Sequence, residues 1–388
     1  MAGETMRALV YDTIRMPWEK SIGFDMQEVQ KPTLNPQERL EDIESAIIRV
    51  NYAGVCGSDR GIWYRKSFRE MISDSLEQEG KTSRIIGHEL LGEIVEIGSQ
   101  AQRELGLHPG DIVSTESHII CGTCYQCRIG DNHVCEKNYI IGISYDGCFA
   151  EYIKLPARVL WPTNLERIRP EVASIQEPFG NAVHACTKVN LRGKRVAIFG
   201  CGTIGLFAIM VARELGAIEI IGIEPNPQHQ EMARALGADL VIAPPPSENE
   251  SYHHSISLTE AVRKATNGVG VDVAIEMTGL NVSINNAIFS TRRGGDIILF
   301  GLRSGNAIIE NFDRLIVDGI SLHSVIGRRI WETWYYTKAL LEKNSRIADR
   351  IWNIILQEGK TIYDFNNFSQ DTFQKAIDSN PKIILKIN

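Results

Sequence analysis

The stretch Arg195-Val-Ala-Ile-Phe-Gly-Cys-Gly-Thr-Ile-Gly205 sets how the rest of the chain is read. Arg195–Phe199 is a short apolar run of the kind found in buried strands, and glycines follow at once. Gly200-Cys-Gly-Thr-Ile-Gly205 has the spacing G-x-G-x-x-G. From Thr203 to Leu215, apolar residues recur at 204, 207, 208, 211 and 215, a helical face that Gly216 ends. Alone the motif is a weak signal. Between a strand and a helix it predicts a turn whose bare backbone approaches a dinucleotide pyrophosphate at the helix N-terminus. Gly200, Gly202, Thr203, Ile204 and Gly205 are therefore candidate cofactor-binding residues. Glu224 lies 24 positions after Gly200 and closes the next strand, where a carboxylate would take the adenosine ribose hydroxyls. A carboxylate there repels a 2′-phosphate, and Pro225-Asn-Pro-Gln228 supplies no arginine to welcome one, so NAD is expected over NADP.

Working outward, the pattern repeats. Strands are expected at Ile218–Glu224, Asp239–Ala243, Val271–Met277 and Asp296–Phe300, and helices at Pro227–Leu236 and Val282–Ser290. Ser257-Leu-Thr-Glu260 reads as a capping box opening a further helix that ends near Asn267-Gly268. Strands alternating with helices imply an α/β fold with a doubly wound parallel sheet. The first ~160 residues look different. Short β-like runs (Ile47–Tyr52, Leu91–Ile97, Asp111–Ser114, Phe149–Leu155) are separated by Gly, Pro and Asp, predicting an irregular, mostly β domain. Arg60–Arg84 interrupts it, with a short surface helix expected over Met71–Glu79.

Composition excludes several function classes. At 388 residues the chain is long enough for two domains. Its 41 basic and 48 acidic residues leave a net charge of −7, which argues against a general nucleic-acid binder. No apolar run approaches the ~18 residues of a membrane span. The first residues lack the apolar core of a signal peptide, so a cytoplasmic location is expected.

Four of the eight cysteines (Cys121, Cys124, Cys127 and Cys135) fall within fifteen residues. Without a secretion signal, such a cluster reads as metal before disulfide. Structural zinc takes four closed ligands at such spacings. An iron–sulfur centre is the alternative, weakened by the seven-residue final gap and the lack of a proline after Cys135. Other groups are ambiguous by themselves. Cys56 in Gly54-Val-Cys-Gly-Ser-Asp59 reads equally as a small buried hydrophobe. His88 and Glu89 in Gly87-His-Glu89 fit a turn or a hydrogen-bonded core pair, and Glu177 before Pro178 fits a helix N-terminal acid.

In order along the chain, Gly54–Asp59, Gly87-His-Glu89, the four-cysteine stretch, Asp146-Gly-Cys-Phe-Ala-Glu-Tyr152 and Gly200–Gly205 resemble the zinc-dependent medium-chain alcohol dehydrogenases. The resemblance implies a GroES-like, mostly β catalytic domain (1–163 and 325–388, with a zinc lobe at about 118–136) and a Rossmann NAD-binding domain (164–324). By motif, Cys56, His88 and either Glu89 or Glu177 become catalytic zinc ligands, Ser58 the hydroxyl that starts a proton relay, and the four clustered cysteines a structural zinc site. Gly61 stands where the family often has the relay histidine, and the 60–84 segment is longer than usual. Glu116-Ser-His118, Glu177-Pro-Phe-Gly-Asn-Ala-Val-His184, Trp331-Glu-Thr-Trp-Tyr335 and Phe373-Gln-Lys-Ala376 resemble the threonine-oxidising members, in which a histidine like His118 helps shape the substrate site. That implies oxidation of L-threonine to 2-amino-3-ketobutyrate, with a polyol, sugar or cyclitol as the alternative. Arg60, Arg65 and Arg69 are the candidates for holding a substrate carboxylate. A homotetramer or homodimer is also implied.

Overall fold

The computed structural model describes residues 3–246, 252–303, 305–343 and 345–388. The chain forms two compact units, Met1–Pro178 with Lys338–Asn388, and Phe179–Thr337.

The second unit is the α/β half. Its six strands are all parallel and lie in the order Leu240–Ile242, Glu219–Ile223, Arg195–Phe199, Val271–Glu276, Thr291–Leu299, Ser321–Ser324. Numbered along the chain, this is the 3-2-1-4-5-6 order of doubly wound sheets, with the strand order reversing between Arg195–Phe199 and Val271–Glu276. The strands read as near-continuous apolar runs because the sheet is covered on both faces. Ala197, Phe199, Ile221, Val271, Ala274 and Ile297 form its core with Leu258 and Val262 from helix Ile256–Ala265.

Helices Thr203–Glu214 and Pro227–Leu236 lie where their periodicity places them. Two boundaries differ from expectation. Helix Ile256–Ala265 is capped by Ser255, whose hydroxyl accepts the Leu258 amide, and not by Ser257. The fifth strand begins at Thr291, five residues before Asp296. Arg292-Arg-Gly-Gly295 has little intrinsic strand preference, and the parallel neighbour Val271–Glu276 recruits its start across a register shift.

The first unit is built around strand Ser45–Val55. It pairs antiparallel with Glu89–Ile97, Tyr152–Pro156 and the C-terminal strand Ile383–Lys386. Ile383, Ile384 and Leu385 are buried, so the chain end is a core strand of this sheet. A separate three-stranded sheet joins Thr5–Asp12, Asp25–Gln30 and Ser83–Ile85. Within 60–84 the structure holds a helix at Arg69–Glu79, longer than Met71–Glu79 and with Ile72, Ser75 and Leu76 buried. A helix that the pattern did not suggest, Gly57–Trp63, precedes it.

Candidate active site

Sheet register assembles the first cluster. Cys56 leaves the end of strand Ser45–Val55 and caps helix Gly57–Trp63. Gly54 lies opposite Glu89 in the antiparallel pair, and Val55 lies opposite Ile383 on the other side. Cys56, His88 and Glu89 thereby offer ligand atoms that all lie within 4.8 Å of one another. A side chain at Gly54 would overlap the Glu89 carboxylate, so glycine is what leaves room for it.

The surroundings lock these groups. The Cys56 sulfur accepts the amide at Asp59, and Asp59 Oδ2 accepts the Cys56 N–H at 2.8 Å, a reciprocal capping box. Asp59 Oδ1 lies 3.7 Å from His88 Nδ1. Burial works against charge on the imidazole, yet the Asp59 carboxylate, then the Cys56 sulfur and Glu177, push His88 up to about 10. Burial raises the Glu89 carboxyl too, opposed by Lys382 and reinforced by Glu177. Lys382, itself buried, ion-pairs with Glu89 Oε2 and donates to the Val55 carbonyl at 2.9 Å.

Thiol, imidazole and carboxylate are thus concentrated in a buried space. Among the described residues, His88 Nδ1, Glu89 Oε1, Asp59 Oδ1 and Ser58 Oγ have no hydrogen-bond partner. Buried polar atoms are seldom left so. A borderline-soft cation with one open position, such as zinc, matches this N, S, O donor set. Glu177 is buried and acts on His88 and Glu89 through its charge, but it is not in the group within 4.8 Å. Asp59 and Lys382 are site residues to which the sequence alone does not point. Asp59 sits in the quoted Gly54–Asp59 motif, whereas Lys382 carries no local signal.

The four-cysteine stretch closes on itself. The sulfurs of Cys121, Cys124, Cys127 and Cys135 lie within 4.8 Å of one another, and no cysteine is in a disulfide. Cys121 and Cys135 are 3.5 Å apart, and Cys124 and Cys135 are 3.8 Å apart. A tetrahedron with Zn–S bonds of about 2.3 Å has edges of about 3.8 Å. Amides of Thr123 and Cys124 point at the Cys121 sulfur, at 3.4 and 3.3 Å, and help pull its thiol down to about 5. Burial and the neighbouring sulfurs push Cys127 up to about 12.

In the second unit the glycine loop follows strand Arg195–Phe199, and each glycine has a distinct role. Gly200 adopts φ +92°, which L side chains rarely adopt. A Cβ on Gly202 would meet nothing within 4 Å, so the backbone before Thr203 and Ile204 is open to approach. A Cβ on Gly205 would strike the Gly200 carbonyl, so this glycine allows close helix–strand packing. Glu224 is buried; its Oε2 accepts the Cys201 amide at 2.8 Å and its Oε1 the Asn226 amide at 2.9 Å. His229 Nδ1 lies 3.9 Å from Glu224 Oε1, a neighbour that residues 225–228 alone do not reveal.

His118 lies on the short strand His118–Ile119, with its Nδ1 held by Glu116 at 3.0 Å. The three arginines considered for a substrate carboxylate are committed elsewhere. Arg60 pairs with Asp378, Arg69 with Glu19, and Arg65 donates to the carbonyls of Ile62 and Gly23 and lies over the Tyr11 ring. Cys148, Cys186 and Cys201 are buried, and burial raises all three thiols. Among the described residues no helix is long and apolar enough to cross a membrane.

The chain matches known dehydrogenases along most of its length. Residues 42–165 match the alcohol dehydrogenase GroES-like domain, and residues 203–343 match the zinc-binding dehydrogenase domain. The chain is 34% identical to the L-threonine 3-dehydrogenase of Caldanaerobacter subterraneus subsp. tengcongensis, over 86% of this chain and 88% of that protein. It is 35% identical to the L-threonine 3-dehydrogenase of Pyrococcus horikoshii, over 87% and 89%. Its fold resembles that of 2R,3R-butanediol dehydrogenase from Bacillus subtilis, with a TM-score of 0.79, 23% identity, and 99% and 100% of the two chains covered.

Proposed function

Because this chain belongs to the zinc-dependent medium-chain alcohol dehydrogenases, we propose that it oxidises the secondary alcohol of L-threonine to 2-amino-3-ketobutyrate, with NAD as oxidant. The reading rests on the convergence of Cys56, His88 and Glu89, in a chain that is 34% and 35% identical across most of its length to the two L-threonine 3-dehydrogenases above. We assign Cys56, His88 and Glu89 to a catalytic zinc, and Cys121, Cys124, Cys127 and Cys135 to a structural one. When bound, the zinc supplies Lewis acidity that acidifies the substrate hydroxyl, and the dinucleotide accepts the hydride.

The protein's own groups do the remainder. Ser58 Oγ, buried and without a hydrogen-bond partner among the described residues, takes the hydroxyl proton. With Gly61 in the usual relay position, Ser58 would pass its own hydroxyl proton on to water or to the cofactor ribose hydroxyls, not to a histidine. Asp59 holds the amide of Cys56 and orients His88, while Lys382 anchors one oxygen of Glu89 and leaves the other to face the cluster. Glu177 adds negative charge that favours a cation there. His118, fixed through Nδ1 by Glu116, is assigned to the substrate side. A cytoplasmic homo-oligomer, tetramer or dimer, is the assembly that family membership favours.

Gly200, Gly202, Thr203, Ile204 and Gly205 take the pyrophosphate, and Glu224 the ribose hydroxyls. Replacing Glu224→Gln removes the charge but keeps an acceptor for the Cys201 amide. It also leaves His229 nearby as a partner for a 2′-phosphate. The ratio of kcat/KM for NAD over NADP is expected to fall about tenfold. An unchanged ratio removes Glu224 from cofactor selection.

One observation favours the polyol alternative. Arg60, Arg65 and Arg69 are all engaged, so none of the three stands ready for a substrate carboxylate. Initial rates with NAD on L-threonine, threitol, sorbitol and inositol separate the readings. Threonine is expected to show the highest kcat/KM. A polyol exceeding it overturns the threonine assignment and leaves the zinc and hydride chemistry standing.

A further inference from the structure

The second unit contains a cavity of about 480 Å³ lined by Arg263, Arg292, Arg293 and Arg314, with Phe289 and Asp318. Arg263 comes from the last turn of helix Ile256–Ala265, Phe289 from the end of helix Asn281–Ser290, and Arg292 and Arg293 from the start of strand Thr291–Leu299. These positions mark the edge of the sheet where strands begin. The glycine loop follows the end of a strand, at the opposite edge, so the cavity is separate from the dinucleotide loop.

Helix C-termini meet at this edge, and capping of their carbonyls accounts for part of the arginine clustering. Arg263 Nη2 donates to the Phe289 carbonyl at 3.2 Å, and Arg314 Nη2 to the Thr291 carbonyl at 3.3 Å. Carbonyls orient a guanidinium without neutralising it. The carboxylates are fewer than the cations: Asp272 pairs with Arg292 at 2.7 Å, and Asp318 serves both Arg293 and Arg314, at 3.0 and 3.3 Å. Four guanidinium charges against these two carboxylates leave a net charge of +2. Burial, opposed by Asp318 and reinforced by Arg263 and Arg293, lowers the Arg314 pKa. Arg314 also lies 5.0 Å from the Phe289 ring centre, and His254 stacks on that ring at 3.6 Å. Arg263, Arg292 and Arg314 are therefore held in place before any ligand arrives, while the Arg293 side chain stays largely exposed.

We propose that this cavity is an anion site for a small molecule bearing a diphosphate group. Planar guanidiniums match phosphoryl oxygens in bidentate fashion, and a phosphoryl group carries about −1.5 to −2 at neutral pH. The volume falls in the range of about 300–1,000 Å³ typical of small-molecule pockets, which leaves room beyond the phosphoryl groups. The site stands independently of the substrate assignment.

The test is calorimetric titration of the full chain, free of dinucleotide so that no diphosphate already fills the cavity, using inorganic pyrophosphate and, separately, ADP at fixed ionic strength. A saturable site sensitive to the arginines of the cavity is expected for at least one of them. Affinity should fall about tenfold in Arg293→Gln and further in Arg263→Gln/Arg293→Gln. The Arg293 side chain is 83% exposed, so the single variant keeps its fold, and unchanged NADH binding verifies this. ADP binding more tightly than pyrophosphate supports a ligand with a nucleoside; equal affinities support the phosphoryl groups alone. No saturable binding of either probe, or binding indifferent to both variants, overturns the proposal. Because dependence on the variants locates the site, failure of the dehydrogenase reading would appear separately, as absent turnover.

Discussion

Cys56→Ser is expected to lower turnover at least about a thousandfold, roughly 4 kcal/mol of transition-state stabilisation. The substitution is informative because it spares the fold. Cys56 caps helix Gly57–Trp63, with its sulfur accepting the amide at Asp59. Serine is among the preferred N-caps and accepts the same amide. What it lacks is a thiolate for the metal. The variant should therefore melt as the parent does and bind NADH with unchanged affinity. Metal analysis should show one zinc fewer per chain. Retention of more than a tenth of the parent turnover would remove Cys56 from the chemistry and with it the assigned catalytic zinc.

Lys382→Met is expected to destabilise the first unit by about 3–5 kcal/mol, the usual consequence of removing one member of a buried ion pair. Lys382 and Glu89 are both essentially inaccessible to solvent, and the lysine also satisfies the Val55 carbonyl. Methionine fills similar space but leaves a buried carboxylate and a buried acceptor behind. Adding Glu89→Gln removes the uncompensated charge, so the double variant should recover much of the loss. Urea unfolding of the parent, the single and the double variant measures both effects. A loss below about 1 kcal/mol in the single variant would show that the pair contributes little. Turnover reads a second consequence, since Glu89 is one of the three clustered donors.

How much of this was legible in advance depends on how local each signal is. The glycine loop is local: strand, turn and helix lie within about twenty residues, and the three glycines serve turning, approach and packing at that spacing. The four-cysteine site is equally local, because fifteen residues of chain bring four sulfurs together. Resemblance to a known family then extended the reading to Cys56, His88 and Glu89, whose convergence the spacing between them does not show. Where local preference competed with tertiary pairing, it lost. Arg292-Arg-Gly-Gly295 lies inside a strand because Thr291 before it and Asp296 after it pair with the parallel neighbour, and Ser255 caps its helix in place of Ser257.

The sequence by itself determined the doubly wound half, the glycine loop with Glu224, and the cysteine lobe, since the signals for each are local: successive strand–helix units, one strand–turn–helix, and fifteen residues holding four cysteines. Only the tertiary structure decided the rest. Antiparallel register places Gly54 beside Glu89, and the returning C-terminal strand places Ile383 beside Val55, so Lys382 meets a carboxylate 293 positions earlier. It also showed that Arg60, Arg65 and Arg69 are engaged within the first unit, and that four arginines from separate elements share one cavity. Backbone pairing between distant strands depends on burying their apolar faces together, a property of the whole sheet that no single segment carries.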